Sequence, residues 1–269
     1  MYNEFYGFRE APFNITPDPR FLFFSDRHRE AYNHILYGLR ERKGFIQVTG
    51  EVGAGKTTVC RALLEDLGPR YRTALILNPC LTGDQLLRTI LIELGLEAPE
   101  DRVAGLQLLN QYLLDQLGEG NDVVLLIDEA QDLSFDLLEQ IRLLSNLETD
   151  QRKLLQIVLL GQPELRDKLN DSRLRQLRQR ITVRYHLAPL SREEMARYIQ
   201  HRLQVVGANG RPSFNRWALG SIYRYSGGVP RLVNAVCDKA LLCGYVTGDD
   251  QLTWKHVRRA IRELEGSFS

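Results

Sequence analysis

The sequence predicts an α/β domain built on a parallel sheet of five strands, followed by a small all-helical domain. Up to residue 188, short apolar runs typical of buried strands alternate with segments whose apolar residues recur at helical spacing. From residue 189 to residue 269 only the helical spacing continues, and glycines separate its segments. We therefore expect one domain over residues 1–188 and a second over residues 189–269.

Each predicted strand is an apolar run bounded by helical segments. The run VVLLIDEAQ, residues 123–131, is apolar on both faces before its acidic pair, as expected of a central parallel strand. The other runs are at residues 45–49, 73–78, 154–162 and 181–187. Helical spacing is clearest over residues 26–42, 82–94 and 103–117, and Thr82 is the expected cap of the second of these helices.

Composition indicates an ordinary soluble globular protein. Of the 269 residues, 43% are hydrophobic and 26% are charged, and the net charge of +1 gives no overall attraction to nucleic acid or acidic membrane. The cysteines at positions 60, 80, 237 and 243 lack metal-binding spacing, so we expect reduced, mostly buried thiols. No signal peptide is predicted at the N-terminus, and no apolar run is long enough to span a bilayer.

The stretch GEVGAGKTT, residues 50–58, is the most informative in the chain. It places Gly50, Gly55, Lys56 and Thr57 in the pattern of a phosphate-binding loop, and a strand precedes it and a helix follows it. Backbone N–H groups and the helix N-terminus would face the phosphates. Lys56 would reach the β- and γ-phosphates of ATP, and the Thr57 hydroxyl would bind Mg²⁺. The residues expected to contact the nucleotide are Gly50, Glu51, Val52, Gly53, Ala54, Gly55, Lys56, Thr57 and Thr58.

Asp128 and Glu129 follow the third predicted strand. Because the carboxyl ends of parallel strands lie along one edge of a sheet, this pair can meet the phosphate loop across a single crevice. Asp128 would then hold the hydration shell of Mg²⁺, and Glu129 would polarise the attacking water. Taken alone, an acidic pair at a strand end is more simply explained as a solvated terminus.

Two further polar residues are candidates for the same site. Gln162 ends the fourth predicted strand, where it can bind the γ-phosphate or the water, or merely cap the strand. Arg231 opens a helix in GGVPRLVNAV, where Pro230 suits the first turn. Its side chain can point from the helical domain to the nucleotide, or form an ion pair at the surface.

The densest basic run allows three interpretations. It contains Arg173, Arg175, Arg178, Arg180 and Arg184. It can be a solvated face, a patch for nucleic-acid phosphates, or the source of an arginine finger that acts on the ATP of a neighbouring subunit.

Residues 1–25 are rich in aromatic residues and prolines. The prolines disfavour a regular helix, and so many aromatic side chains are not expected to remain in water. We predict an extended segment packed across the nucleotide domain, where it would either wall an adenine pocket or simply cover the core.

Taken together, these motifs resemble those of AAA+ ATPases. GEVGAGKT is similar to Walker A, LLIDEA to Walker B and GVPR to the sensor 2 motif, and Gln162 stands at the sensor 1 position. Within that superfamily the chain resembles the ExeA/GspA ATPases of the type II secretion pathway, and MshM of pilus biogenesis is similar. The segments that carry this resemblance are residues 6–32, 50–65, 74–79, 127–131 and 177–191.

The resemblance implies a three-layer α/β/α P-loop domain with a helical lid, Mg²⁺-dependent ATP hydrolysis, and self-association through nucleotide at subunit interfaces, from a dimer to a ring. It aligns Arg180 with the arginine finger, and Arg178 and Arg175 are the alternatives. It also implies a cytoplasmic protein at the inner face of the bacterial inner membrane, held there by a secretion or pilus-assembly partner or by a transmembrane segment. Larger members carry such a segment and a peptidoglycan-binding domain after the ATPase.

Two rival functions stay open at this point. One is an ATP-dependent DNA-binding AAA+ protein of the TniB/MuB transposition type. The near-zero net charge argues against it, and salt-sensitive DNA binding would favour it. The other is a nucleotide switch without turnover, against which the intact Lys56, Asp128 and Glu129 argue.

Overall fold

The chain divides into two compact units. The computed structural model describes residues 1–14, 19–77, 79, 81–149 and 152–266. One unit contains residues 28–50 and 56–187 and is called the sheet unit. The other contains residues 1–27, 51–55 and 188–269 and is called the helical unit.

The sheet unit contains five parallel strands, as the sequence predicts. The strands are β1 (Phe45–Gly50), β2 (Tyr71–Ile76), β3 (Asp122–Ile127), β4 (Leu155–Gly161) and β5 (Ile181–Leu187). Their order across the sheet is β2-β3-β4-β1-β5, so that β3, β4 and β1 are neighbours in its middle. All residues of these three strands are buried, which explains their nearly continuous apolar sequence.

Helices make up most of the remaining regular structure among the described residues. In chain order they are α1 (Tyr2–Tyr6), α2 (Asp26–Arg40), α3 (Lys56–Leu67), α4 (Gly83–Glu93), α5 (Arg102–Gly118), α6 (Phe135–Leu144), α7 (Pro163–Leu169), α8 (Arg175–Arg180), α9 (Arg192–Val205), α10 (Arg216–Ser226), α11 (Pro230–Thr247) and α12 (Trp254–Leu264). The predicted cap of α4 is confirmed, because Thr82 and Gln85 form a reciprocal capping box.

Two predicted strands extended too far. β3 ends at Ile127 rather than at residue 131, because the polar residues after it form a turn and a 3₁₀ helix, Ala130–Asp132. β2 ends at Ile76 rather than at residue 78, and Asn78 lies outside the described residues. β3 stops where polar residues replace the apolar run, whereas β2 ends one residue before the apolar Leu77.

The helical unit contains a short sheet, which the prediction of an all-helical domain did not include. Two short strands, β6 (Ser213–Phe214) and β7 (Gln251–Leu252), pair in parallel. Strands of two residues are too short to show the alternation by which a strand is predicted from sequence.

The N-terminal segment belongs to the helical unit, whereas the prediction grouped it with the nucleotide domain. Tyr6, Phe8, Phe13 and Phe21 lie in the apolar core that α9, α10, α11 and α12 build. The segment also begins with a helix, α1, which the prediction of an extended segment missed. The first proline is Pro12, so no proline restricts residues 2–6.

A buried arginine holds this segment. Arg202 of α9 is only 5% exposed. It donates hydrogen bonds to the Asn14 carbonyl oxygen at 3.1 Å and to the Tyr198 hydroxyl at 2.9 Å. Its guanidinium carbon lies 4.6 Å from the centre of the Phe21 ring. The charge is therefore stabilised by main-chain, hydroxyl and aromatic groups at once.

Among the described residues, no helix is long and apolar enough to cross a membrane. Cys60, Cys237 and Cys243 are buried free thiols, as predicted, and Cys80 lies outside the described residues. Burial raises the pKa of the Cys60 and Cys237 thiols, which keeps them protonated and unreactive.

We predict that Arg202→Ala lowers the free energy of unfolding by about 2 to 4 kcal/mol, because it removes hydrogen bonds from a charged group and a cation–π contact. Arg197→Ala, on the same helix, removes an exposed ion pair with Asp26 and should cost less than about 1 kcal/mol. Urea unfolding followed by circular dichroism measures both. Equal losses in the two variants would show that Arg202 does not anchor the segment.

Candidate functional site

The turn between β1 and α3 has the backbone that the phosphate-loop motif requires. Gly53 and Gly55 have φ angles of 77° and 101°, in the left-handed region that favours glycine. Helix α3 begins at Lys56, so its N–H groups and the positive end of its dipole are directed into this turn.

Lys56 is buried at the start of α3. Only 5% of the residue is exposed, and its Nζ donates to the Gly50 carbonyl oxygen at 2.8 Å. Thr57 and Thr58 follow it in the first turn of the helix and are half-buried. A buried ammonium beside main-chain N–H groups favours an anion at this position.

Asp128 connects the end of β3 to the start of α3. It is 4% exposed, and its Oδ2 accepts a hydrogen bond from the Thr57 hydroxyl. Its Oδ1 accepts from the Glu129 amide at 2.9 Å, and its own amide donates to the Ile76 carbonyl oxygen at 2.8 Å. The structure thus brings the acidic pair to the phosphate loop, as the sequence predicts for the carboxyl edge of a parallel sheet.

Glu129 has a left-handed backbone, with φ 50° and ψ 37°. A non-glycine residue in this region is strained, and such strain is concentrated at functional sites. Its Oε2 accepts a hydrogen bond from Gln162 Nε2 at 3.2 Å and a second from Gln131 Nε2 at 2.7 Å. Gln162 is therefore in contact with Glu129, as expected if both residues serve one site.

Gln131 is a residue that the sequence analysis did not single out. Its Nε2 donates to Glu129, and its Oε1 accepts from the Gln162 amide at 3.0 Å. The absence of a side chain at Gly161 leaves room for it, because an added Cβ there would lie 2.9 Å from Gln131 Oε1. Gln131 therefore joins the turn after β3 to the end of β4.

Lys168 of α7 fixes the same turn and was also missed. Its Nζ donates to the carbonyl oxygen of Gln131 and, at 2.9 Å, to that of Leu133. The sequence DEAQ, residues 128–131, could have indicated Gln131, because it places an amide two residues after the acidic pair. No comparable signal exists for Lys168, because its contact depends on how α7 packs.

Arg231 lies beside the phosphate loop within the helical unit. A Cβ added to Gly53 would be 2.4 Å from Arg231 Cβ. Arg231 is exposed, and no ion pair is found for it among the described residues, so the interpretation as a surface salt bridge is not supported.

The arginines of the basic run contact different groups of the protein. Arg180 Nη1 donates to Ser145 Oγ at 2.6 Å and to the Arg142 carbonyl oxygen at 3.3 Å, at the C-terminal end of α6. Arg178 Nη1 donates to the Asn170 carbonyl oxygen at 3.3 Å, and Arg175 is exposed.

Arg173, in the same run, pairs with Asp171 at 2.9 Å. Its hydrogen bonds lower the pKa of the Asp171 carboxyl to about 2. These separate contacts do not form one continuous cationic face.

Residues 39–169 match the family model of an AAA domain. Over 270 residues the chain is 48% identical to general secretion pathway protein A (GspA) of Aeromonas hydrophila, a match that covers 99% of this chain. The chain is an AAA-domain relative of GspA. It spans 49% of the length of that protein.

Solved structures confirm the AAA fold. ORC2 of Aeropyrum pernix in its ADP form has a TM-score of 0.69 at 16% identity, over 95% of this chain and 73% of that one. Cdc6p of Pyrobaculum aerophilum has a TM-score of 0.68 at 16% identity, over 92% and 71% of the two chains. The Thermotoga maritima RuvB branch migration motor has a TM-score of 0.54 at 17% identity, over 89% and 69%. At these identities the likeness concerns the fold alone.

Proposed function

We propose that the chain is a Mg²⁺-dependent ATPase that drives assembly of an envelope secretion or pilus machine. The observation that carries the ATPase is the contact of Thr57 with Asp128, which joins the start of the phosphate-loop helix to the acidic pair. Glu129, next in the chain, would then lie near the γ-phosphate held by the loop.

ATP would be held through its phosphates by residues 50–58. The left-handed glycines allow main-chain N–H groups to face the phosphate oxygens, and Lys56 would exchange its bond to the Gly50 carbonyl oxygen for the β- and γ-phosphates. Arg231, beside Gly53, would add a second cation.

The oxygen donors at Thr57 and Asp128 fit Mg²⁺. One hydroxyl and one carboxylate are hard donors already in contact, and Mg²⁺ commonly takes one or two carboxylates together with substrate phosphates and water. Among the described residues there is no cluster of three or more acidic, histidine or cysteine residues that would hold a metal alone. Bound Mg²⁺ would neutralise charge that develops on the phosphates.

Glu129 would act as the base that orients and deprotonates the attacking water. Its Oε2 is fixed by Gln131 and Gln162, so that the carboxylate keeps one direction before the substrate binds. Gln162 would also hydrogen-bond the γ-phosphate or the water.

The biological part of the proposal rests on the relative's name, general secretion pathway protein A. We accordingly propose an inner-membrane secretion or pilus-assembly partner, location at the cytoplasmic face of that membrane, and self-association through nucleotide. The net charge of +1 and the divided arginine run give no support to the alternative of a DNA-binding protein.

Glu129→Gln tests the ATPase directly. The amide keeps the size of the side chain but cannot accept a proton, so the variant should bind Mg-ATP as the wild type does and hydrolyse it at least about a hundredfold more slowly. Calorimetric titration and phosphate release measure the two properties. Wild-type turnover in this variant would remove Glu129 from the site.

Gln131→Leu should lower kcat about tenfold or more and leave the affinity for ATP unchanged, because Gln131 positions Glu129 without reaching the phosphates itself. Gln107→Leu, on an exposed face of α5, is the matched control and should behave as wild type. Combining Gln131→Leu with Gln162→Leu should lower kcat by less than the product of the two separate effects, since both amides hold Oε2 of Glu129. Additive losses would mean that Gln131 acts elsewhere.

We keep Arg180 as the proposed arginine finger, with Arg178 and Arg175 as alternatives. It would have to leave the end of α6 when subunits assemble. Arg180→Ala should bind ATP and hydrolyse it roughly a thousandfold more slowly. Mixing it with Glu129→Gln subunits should restore turnover, because these subunits supply Arg180 to intact sites. Arg173→Ala is the matched control with normal turnover. Failure of the mixture to recover would exclude action between subunits through Arg180.

A further inference from the structure

A cavity lies on one face of the sheet unit, beside the edge strand β5. Its volume is about 350 Å³, and its walls come from β1, β5, the end of α7 and the α8 region. This volume lies within the range of pockets for small molecules. None of the residues proposed above to hold ATP and Mg²⁺ or to activate the water lines it, although Arg178, an alternative arginine finger, does.

Side chains of β1 and β5 form one wall of the cavity. Gln47 is in register with Arg184, and Thr49 is in register with His186. Residues in register on neighbouring parallel strands point to the same face of the sheet, so the four side chains lie side by side. Thr49 Oγ1 and His186 Nδ1 are 3.1 Å apart.

Gln47 is a buried polar residue in a strand whose other residues pack in the core. It is 4% exposed and stands between the buried residues Ile46 and Val48. No hydrogen bond of its side-chain amide to another described residue is found, although the residue lines the cavity. The two amide atoms of Gln47 are not among the fully shielded polar atoms that lack a partner, so they open into the cavity, where an amide can both donate to and accept from a ligand.

The charged residues that line the cavity are cationic. They are Arg166, Arg178 and Arg184, with His186 beside them, and the lining contains no aspartate or glutamate. Arg184 Nη2 donates to the Arg178 carbonyl oxygen at 2.7 Å, which brings the two residues together. Within the described part of the chain, neither forms an ion pair with a carboxylate. An arginine guanidinium favours phosphate, which it can bind through two parallel hydrogen bonds.

We propose that this cavity, called the β5 pocket, binds a phosphate-bearing ligand. Arg178 and Arg184 hold the phosphate, and the Gln47 amide hydrogen-bonds the ligand from the floor of the pocket. The phosphate can belong to a free small molecule or to a nucleotide carried by a second copy of the chain. The proposal does not depend on ATP hydrolysis, because it uses neither the phosphate loop nor the acidic pair.

The His186 ring reports on the pocket directly. The experiment is a titration of the full chain, saturated with ADP, with inorganic pyrophosphate, while the ring signals of His186 are followed by NMR and assigned through His186→Gln. We expect a saturable shift. Arg184→Gln and Gln47→Leu should each weaken the apparent affinity about tenfold or more, the scale of one hydrogen bond to a charged group.

Two controls separate binding from general effects. Arg173→Gln removes an arginine of the same basic run that does not line the pocket, and it should keep the wild-type affinity. Gln47→Leu should also leave the free energy of unfolding unchanged, since the Gln47 amide makes no hydrogen bond to another described residue. A large loss of stability in this variant would assign Gln47 a structural role and overturn its part in the pocket.

A parallel titration with a non-hydrolysable ATP analogue distinguishes the two sources of phosphate. A shift that grows with protein concentration and is lost in Arg184→Gln identifies the nucleotide of a second copy. A shift with pyrophosphate alone identifies a free ligand. If neither probe shifts His186 saturably, or if Arg173→Gln weakens binding as much as Arg184→Gln does, the β5 pocket is not a phosphate site.

Discussion

The contact between the Thr57 hydroxyl and the Asp128 carboxylate fixes the geometry on which the proposed chemistry depends. Thr57 belongs to the helix after β1, and Asp128 follows β3, with β4 between the two strands in the sheet. The contact therefore extends across the carboxyl end of β4, and Gln162 is the residue that directly follows this strand. Phosphate loop, acidic pair and amide are brought together by the order of three parallel strands rather than by their separation in sequence.

The turn after β3 adds a second constraint. Glu129 is held in a left-handed backbone, and its carboxylate is fixed by amides from its own turn and from the end of β4. Lys168 binds the carbonyl oxygens of that turn from α7. Strain at Glu129 is thus balanced by hydrogen bonds from two neighbouring elements, which is the arrangement expected where a side chain must keep one direction.

The elements that could be predicted from the sequence are those with a local signal. β5 was predicted at its observed limits because its apolar run is bounded on both sides, and the phosphate loop was predicted because glycines, lysine and threonine have fixed positions in it. Gln131 and Lys168 escaped prediction because their roles depend on the turn conformation of Glu129 and on the packing of α7. The N-terminal segment was assigned to the wrong unit because its aromatic residues show only that it packs, and Arg202, which binds it, lies 188 positions beyond Asn14.

The affinity for Mg-ATP tests the central claim most directly. Lys56 is the buried cation at the start of α3, and no other lysine of the loop can replace it. Calorimetric titration of Lys56→Ala should show no measurable binding of Mg-ATP, whereas Lys255→Ala, which removes an exposed lysine of α12, should bind as the wild type does. Unchanged affinity in Lys56→Ala would contradict the assignment of residues 50–58 as the phosphate-binding loop, and with it the proposed ATPase.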